Sequence, residues 1–456
     1  MGKAKFDYDL IVIGSGAGGS AGAILAARAG LKVALIESDK WGGSTLNYTD
    51  TPYSAILHAT HLLKEATAAQ RFGLSSANLR YNYPTLQNWK SYATRRAGAN
   101  SKKSYEAAGI TCIHGFAHFL SPYEINVGEA RLSARHFLLA TGSNLSDHGI
   151  KGLESVDCLT KETALNSTRP PKTVFVVGAG STGCEIAQYF SELGSKVLIA
   201  EISGRLLPRE DEEVGQALDT IFNKSGITVH TQSRVTLLTK DSVSKKVIFL
   251  RGGSEKSVRI DEIVLATGYA PATDLGLENT GVHFTKSGIT TLSTFQTSVK
   301  HIYACGDCIG GDSSAERAAA EARAAITNIL HKKAKETVNY TGFARLTNTY
   351  PAIAQVGSTE DDCIKRDAKI RKIILPLSAS PASNTQDFRD GFIKLISDRS
   401  GKLIGGTIMA PHASELISEL SLALTHGLTA RDLASSPHPA GSWSETLRLA
   451  AQSLAR

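Results

Sequence analysis

The chain has 456 residues, 42% of them apolar, and a formal net charge of +7 at pH 7. That length exceeds what one hydrophobic core ordinarily organises, and it predicts about three domains. No block of lysine and arginine rises above short pairs and triplets, which points to a solvated basic surface and away from a nucleic-acid ligand. No uncharged apolar run reaches the ~18 residues of a membrane span. Met1 to Asp9 is charged and leads into a short apolar run and then glycines, unlike a signal peptide, so a cytoplasmic location is expected. Cysteines at 112, 158, 184, 305, 308 and 363 are too scattered for a secreted disulfide framework, and no metal site is expected.

Asp9 to Gly14 reads as a short buried strand, Ser20 to Ala29 as a helix of small residues packed closely on it, and Leu31 to Glu37 as the next strand. The turn Gly14-Ser15-Gly16-Ala17-Gly18-Gly19 matches G-x-G-x-x-G between the first two. In such a turn Gly14 permits the tight bend, Gly16 lets a pyrophosphate approach the backbone and Gly19 lets helix and strand touch; Glu37 accepts from a ribose hydroxyl. Gly42 to Ser54 then runs Gly-Gly-Ser-Thr-Leu-Asn-Tyr-Thr-Asp-Thr-Pro-Tyr-Ser. Arg135 to Gly142 is an apolar strand closing in Ala-Thr-Gly, and Ser167-Thr168-Arg169-Pro170-Pro171 is a linker.

Lys172 to Gly178, Glu185 to Leu193 and Lys196 to Glu201 repeat the first pattern, with Gly178, Gly180 and Gly183 in the turn and Glu201 at the strand end. Glu201 favours NADH, because a carboxylate pairs with a 2′-hydroxyl and repels a 2′-phosphate; Arg205 keeps NADPH as the alternative. Asp261 to Gly268 is a second strand ending in Ala-Thr-Gly, and His301 to Asp307 is another strand and turn before an alanine-rich helix from Ser314 to about Lys333. Cys305 and Cys308 form the one close cysteine pair, for which burial is the expected explanation. Phe392 to Ser397 and Lys402 to Met409 read as antiparallel strands joined at Asp398 to Gly401, followed by helices at Ala413 to Thr425 and Arg431 to Ser435.

Two nucleotide motifs in this order, with Gly42 to Ser54 between them, make the chain resemble the class I pyridine nucleotide-disulfide oxidoreductases, the family of dihydrolipoamide dehydrogenase, glutathione reductase and mercuric reductase. The segment is similar to the family's G-G-T-C-L-N-x-G-C-x-P-S-K, with Thr45 and Asp50 in place of the two redox cysteines and Ser54 in place of the closing lysine. The resemblance implies an α/β fold of glutathione-reductase type: two Rossmann-like dinucleotide-binding domains and a C-terminal α+β dimerisation domain. The expected limits are 1–150 for the first part of an FAD domain, 151–270 for an NAD(P)H domain, 271–340 for the part completing the FAD domain and 341–456 for the interface domain.

The resemblance also implies site roles. Gly14, Gly16, Gly19, Glu37, Gly43, Ser44, Ala117, Thr141, Gly142, Asp307 and Ala315 would bind FAD, with Asp307 on the ribityl chain. Gly178, Gly180, Gly183, Glu201 and Gly268 would serve the nicotinamide nucleotide. Glu185 stands beside the nicotinamide, where Ser54 deprives it of the family's lysine partner. His438-Pro439-Ala440-Gly441-Ser442-Trp443-Ser444-Glu445 is similar to the family's H-P-T-x-S-E, with two residues inserted between a general acid-base histidine and its glutamate.

A threonine and an aspartate cannot relay electrons by thiol exchange. The expected activity is therefore hydride transfer from NAD(P)H through FAD directly to a small acceptor such as a quinone, by a homodimer. Asp50 faces the flavin in that reading, where its charge would disfavour the anionic hydroquinone unless burial protonates it; a cap on the helix start is its alternative role. Two other readings stand beside this one. In the first, the flavin oxidises a small substrate with Asp50 or His438 as base and NAD+ or oxygen as acceptor; in the second, the protein binds flavin without turnover.

Overall fold

Leu10, Ile11, Val12 and Ile13 are apolar at consecutive positions, the pattern of a strand covered on both faces, and all four are buried. They lie in the strand Tyr8–Ile13, which pairs in parallel with Val33–Glu37 on one side and with the second half of Ala130–Leu139 on the other. Thr111–His114 and Ile302–Ala304 extend this parallel sheet at its two ends. The first half of Ala130–Leu139 turns to antiparallel pairing with Glu124–Val127, which in turn pairs with Ala117–Ser121. The computed structural model describes residues 6–75, 79–98, 101–146, 149–242, 244–331 and 333–456.

This sheet belongs to a unit made of Met1–Ile56, Pro84–Ser146 and Gly268–Val338. The helix Ala17–Arg28 packs on one face of its sheet beside the alanine-rich helix Ala315–Leu330. Small residues are required there: a Cβ on Gly22 would lie 2.6 Å from Leu138 Cδ2 and 3.6 Å from Ala322 Cβ. The helix starts at Ala17, ahead of the expected Ser20. Close packing overrides the poor helix propensity of Gly18 and Gly19, since a Cβ on Gly19 would sit 1.8 Å from the Gly14 carbonyl oxygen.

The second unit comprises Leu57–Tyr83, Asp147–Thr267 and Asn339–Arg456. It holds a second parallel sheet, in the order Thr228–His230, Lys196–Ala200, Thr173–Val177 and Glu262–Leu265, with the helix Ser181–Glu192 packed on it. A separate antiparallel sheet of Ser233–Lys240, Lys245–Arg251 and Ser254–Ile260 was not foreseen from the sequence. From residue 344 onward a five-stranded antiparallel sheet runs Ala344–Thr347, Ala352–Gly357, Leu403–Ala410, Phe392–Asp398 and Ile370–Pro376. The helices Ala413–Thr425 and Trp443–Ala455 share a core with it, built on Ile393, Leu395, Ile408, Leu420 and Leu447. Among the described residues no helix is long and apolar enough to cross a membrane.

Candidate functional site

The two glycine turns have one construction. Gly14 and Gly178 both have φ of 98°, and a Cβ on them would lie 2.3 Å from Ala140 O and 2.4 Å from Ala266 O respectively. Gly19 and Gly183 touch the carbonyls of Gly14 and Gly178, where a Cβ would lie at 1.8 and 2.0 Å. Gly16 and Gly180 differ: a Cβ on either would meet nothing within 4 Å. Their backbone therefore faces open space at the start of the helices Ala17–Arg28 and Ser181–Glu192. Neither helix has a side-chain cap or an acidic residue in its first turn. Free N–H donors at the positive end of a helix, with room before them, suit a pyrophosphate.

The strand-end carboxylates repeat too. Glu37 Oε2 accepts from Ser15 N at 2.9 Å and Oε1 from Asp39 N at 2.9 Å. Glu201 Oε2 accepts from Ala179 N at 2.7 Å and Oε1 from Ser203 N at 2.8 Å. Each glutamate is thus locked between the turn and the residues that follow the strand. Ser15, which the sequence reading left without a role, is fully buried and ties Glu37 to the next segment; its Oγ donates to Glu37 Oε2 at 2.6 Å and accepts from Gly42 N at 2.9 Å.

Gly42 and Gly43 have φ of 94° and 64°, and a Cβ on Gly43 would lie 2.5 Å from Gly16 Cα, so the Gly42-Gly43 turn is set against the first glycine turn. Ser44 and Thr45 lie in the short helix Gly43–Asn47, Ser44 exposed and Thr45 half-buried. Asp50 opens the helix Asp50–Ala68 and is exposed, as is Ser54 one turn on. Asp50 is the acidic residue in the first turn of that helix.

Thr141 and Gly142 follow the strand Ala130–Leu139. Thr141 Oγ1 donates to Ala272 O at 2.6 Å, and Gly142, with φ of 74°, accepts from Ala272 N at 3.0 Å. Gly268, with φ of 97°, leads into Tyr269–Pro271, which pairs with Ser143–Leu145. Asp307 Oδ2 accepts from Ser143 Oγ at 2.9 Å and lines a cleft of 270 Å³ with Ser143, Tyr269, Lys286 and Ser313. The loop carrying Asp307 is shaped by Glu321, fully buried, which accepts from Gly306 N at 2.7 Å and from Arg317 Nε at 2.6 Å. The Arg317 to Glu321 spacing of one helical turn was the available signal for this pair. Ala315 is the first helical residue after the Ser314 cap. Ala117 is buried at the start of its strand, and neighbouring Gly115 donates to Glu37 O at 2.8 Å.

Two expected pairings are replaced. Glu185 is buried in the helix Ser181–Glu192 and is not left without a partner by Ser54, because its Oε1 accepts from Asn348 N at 2.7 Å. His438 does not pair with Glu445. Its Nε2 lies 2.9 Å from Glu419 Oε1, and Glu445 instead accepts from Gly441 N at 2.7 Å and from Arg448 Nη2 at 2.9 Å. Glu445 lies in the first turn of Trp443–Ala455, where its carboxylate accepts the Gly441 N–H just ahead of the helix.

The family model for "Pyridine nucleotide-disulphide oxidoreductase" matches residues 8–325, and that for the dimerisation domain of the same family matches residues 343–451. The chain belongs to this family. Its members are FAD-dependent oxidoreductases that use NAD(P)H. A mercuric reductase of Streptomyces lividans is 33% identical over 460 residues, covering 99% of this chain and 97% of that protein. A dihydrolipoyl dehydrogenase of Chlorobaculum tepidum is 32% identical, covering 97% and 96%. Among solved structures, LpdA of Mycobacterium tuberculosis superposes with a TM-score of 0.88 at 26% identity, covering 98% of this chain and 99% of that one. The flavoprotein disulfide reductase RclA of Escherichia coli shares the fold, with a TM-score of 0.87 at 22% identity and coverage of 98% and 99%.

The cysteines of this oxidoreductase form no disulfide with one another. All six are free, and Cys184, Cys305, Cys308 and Cys363 are buried. Burial pushes the Cys308 thiol up to about 11, and its Sγ–H is turned to Cys305 O at 3.2 Å and Leu139 O at 3.5 Å. Cys305 is held well above the ordinary thiol range by burial and by neighbouring Cys308. Neither supplies a thiolate at neutral pH. Among the described residues no cluster of metal-ligating side chains occurs.

Proposed function

We propose that this oxidoreductase passes electrons from NADH through FAD directly to a small acceptor such as a quinone, without a disulfide relay. The observation that carries the reading is a contrast. Both glycine turns and both ribose-side glutamates keep a geometry suited to dinucleotides, while residues 45 and 50 are threonine and aspartate. FAD, when bound, supplies two-electron chemistry, and the net reaction is NADH, a proton and a quinone giving NAD+ and a hydroquinone.

The chain's own residues would act as follows. Gly14, Gly16 and Gly19 with Glu37 hold the ADP half of FAD; Gly43, Ser44, Ala117, Thr141, Gly142, Asp307 and Ala315 line the rest, with Asp307 on the ribityl chain. Gly178, Gly180, Gly183 and Glu201 hold NADH, and Gly268 shapes the turn that closes that domain. Asp50 and Thr45 stand at the electron exit. The same reading takes the molecule as a cytoplasmic homodimer, with limits at 1–150, 151–270, 271–340 and 341–456.

The test is anaerobic mixing of the purified flavoprotein with NADH, followed by a panel of quinones and of disulfides including lipoamide and glutathione disulfide. Bleaching of the flavin by NADH and reoxidation by quinones alone is the expected result. Rapid reoxidation by a disulfide would overturn the relay-free reading, and a flavin that NADH leaves oxidised would make the protein a binding homologue.

A further inference from the structure

We infer that Asp361 sets the nucleotide preference of this oxidoreductase by holding Arg205 away from the ribose 2′ position. Arg205 follows Glu201 by one short turn, and that turn is fastened to the glycine turn of the same domain by Leu207 N donating to Ala179 O at 2.9 Å. An arginine so close after the ribose-side carboxylate is the residue type that would accept a 2′-phosphate. Here its side chain is committed elsewhere. Nη2 lies 2.5 Å from Asp361 Oδ2 and also 3.3 and 3.2 Å from the Pro208 and Glu210 carbonyls. The stem lies on Gly215 of the helix Glu212–Lys224, where a Cβ would come within 3.2 Å of Arg205 Cβ.

Among the described residues Asp361 is the charged partner of Arg205, and it comes from the short helix Glu360–Lys365 far along the chain. That helix is itself anchored: Glu360 N donates to Asp211 Oδ1 at 2.9 Å, and Glu360 Oε2 accepts from the buried Lys394 Nζ at 2.8 Å. Arg205 Nε is buried without a hydrogen-bond partner, so the posture leaves one guanidinium donor unsatisfied and depends on the Asp361 contact for its stability. Without the Asp361 charge, a phosphate oxygen becomes the better partner for the guanidinium.

This inference rests on the NADH reading, and the two are tested separately by calorimetric titration of the full chain with AMP and with 2′,5′-ADP. Wild type binding AMP more tightly than 2′,5′-ADP is expected, and the reverse order would overturn the NADH reading. Asp361→Ala and Asp361→Asn should each raise 2′,5′-ADP affinity by about three- to tenfold, with AMP affinity changed by less than about twofold. Adding Arg205→Ala should abolish the gain. Unchanged 2′,5′-ADP affinity in both single variants, or a gain that survives in Asp361→Ala/Arg205→Ala, would overturn the role of Asp361.

Discussion

His438 Nε2 lies 2.9 Å from Glu419 Oε1 while its Nδ1 lies 2.8 Å from the Ser436 carbonyl oxygen. The ring is held between the helix Ala413–Thr425 and the turn before the last helix, with its side chain 5% exposed. Glu419→Ala should destabilise the protein by about 1 kcal/mol, the scale of a single side-chain hydrogen bond. Glu419→Gln, which still offers an oxygen to Nε2–H, should lose less in urea denaturation.

Glu445 acts at the helix start. The Gly441 N–H and then the Arg448 guanidinium hold its carboxyl below the usual range. A depressed folded-state value means that the stabilisation is present above the unfolded value and is lost as pH falls through the folded one. Wild type should lose thermal stability more steeply than Glu445→Gln between about pH 5 and pH 3. Parallel melting curves for the two proteins across that window would contradict the assignment.

Gly180 and Gly183 should respond oppositely to alanine. Gly183→Ala drives a Cβ to 2.0 Å from Gly178 O and should lower stability by about 2–4 kcal/mol. Gly180 has φ of −69° and open space before it, so Gly180→Ala should keep the melting temperature and obstruct the pyrophosphate instead. An increase of about tenfold in KM for NADH with little change in melting temperature is the expected signature.

Asp50 is an exposed carboxylate at the start of a helix. If it faces the flavin as proposed, its charge opposes the negative charge that reduction adds. Asp50→Asn should then raise the flavin midpoint potential by about 30 mV, equivalent to tenfold in a two-electron equilibrium. A spectroscopic titration against a reference dye reads this directly, and an unchanged potential would leave Asp50 with the helix-start role alone.

Cysteine chemistry should be dispensable. Cys305→Ala/Cys308→Ala should keep NADH-dependent quinone reduction within about twofold, since neither thiol forms a thiolate at neutral pH. Native protein at pH 8 should leave the four buried cysteines unlabelled by a thiol reagent, whereas guanidinium should expose all six. Loss of turnover in the double variant, with the flavin retained, would return the cysteines to the mechanism.

Much of the nucleotide-binding framework was legible because its causes are local. Gly14, Gly19, Gly178 and Gly183 are demanded by positive φ or by backbone approach at fixed spacing, and Glu37 and Glu201 stand at strand ends set by apolar runs. The antiparallel strands from 233 to 260 and from 344 to 376 were not legible, since short polar-faced strands become strands only through partners distant in the chain. Glu185 illustrates the same limit within the site. Ser54 in place of the family's lysine suggested an orphan, and its partner, the Asn348 amide, lies 163 positions away.

By itself, then, the sequence determined that two dinucleotide turns occur in order and that no thiol stands at residues 45 and 50, because residue identity and short spacing decide both. Only the tertiary structure decided which carboxylate meets each of two basic side chains: Glu419 for His438 and Asp361 for Arg205. Ion pairs are chosen by distance in space and by the solvent left around them, and a charge brought from a remote helix displaces a closer one in sequence when the fold sets it nearer.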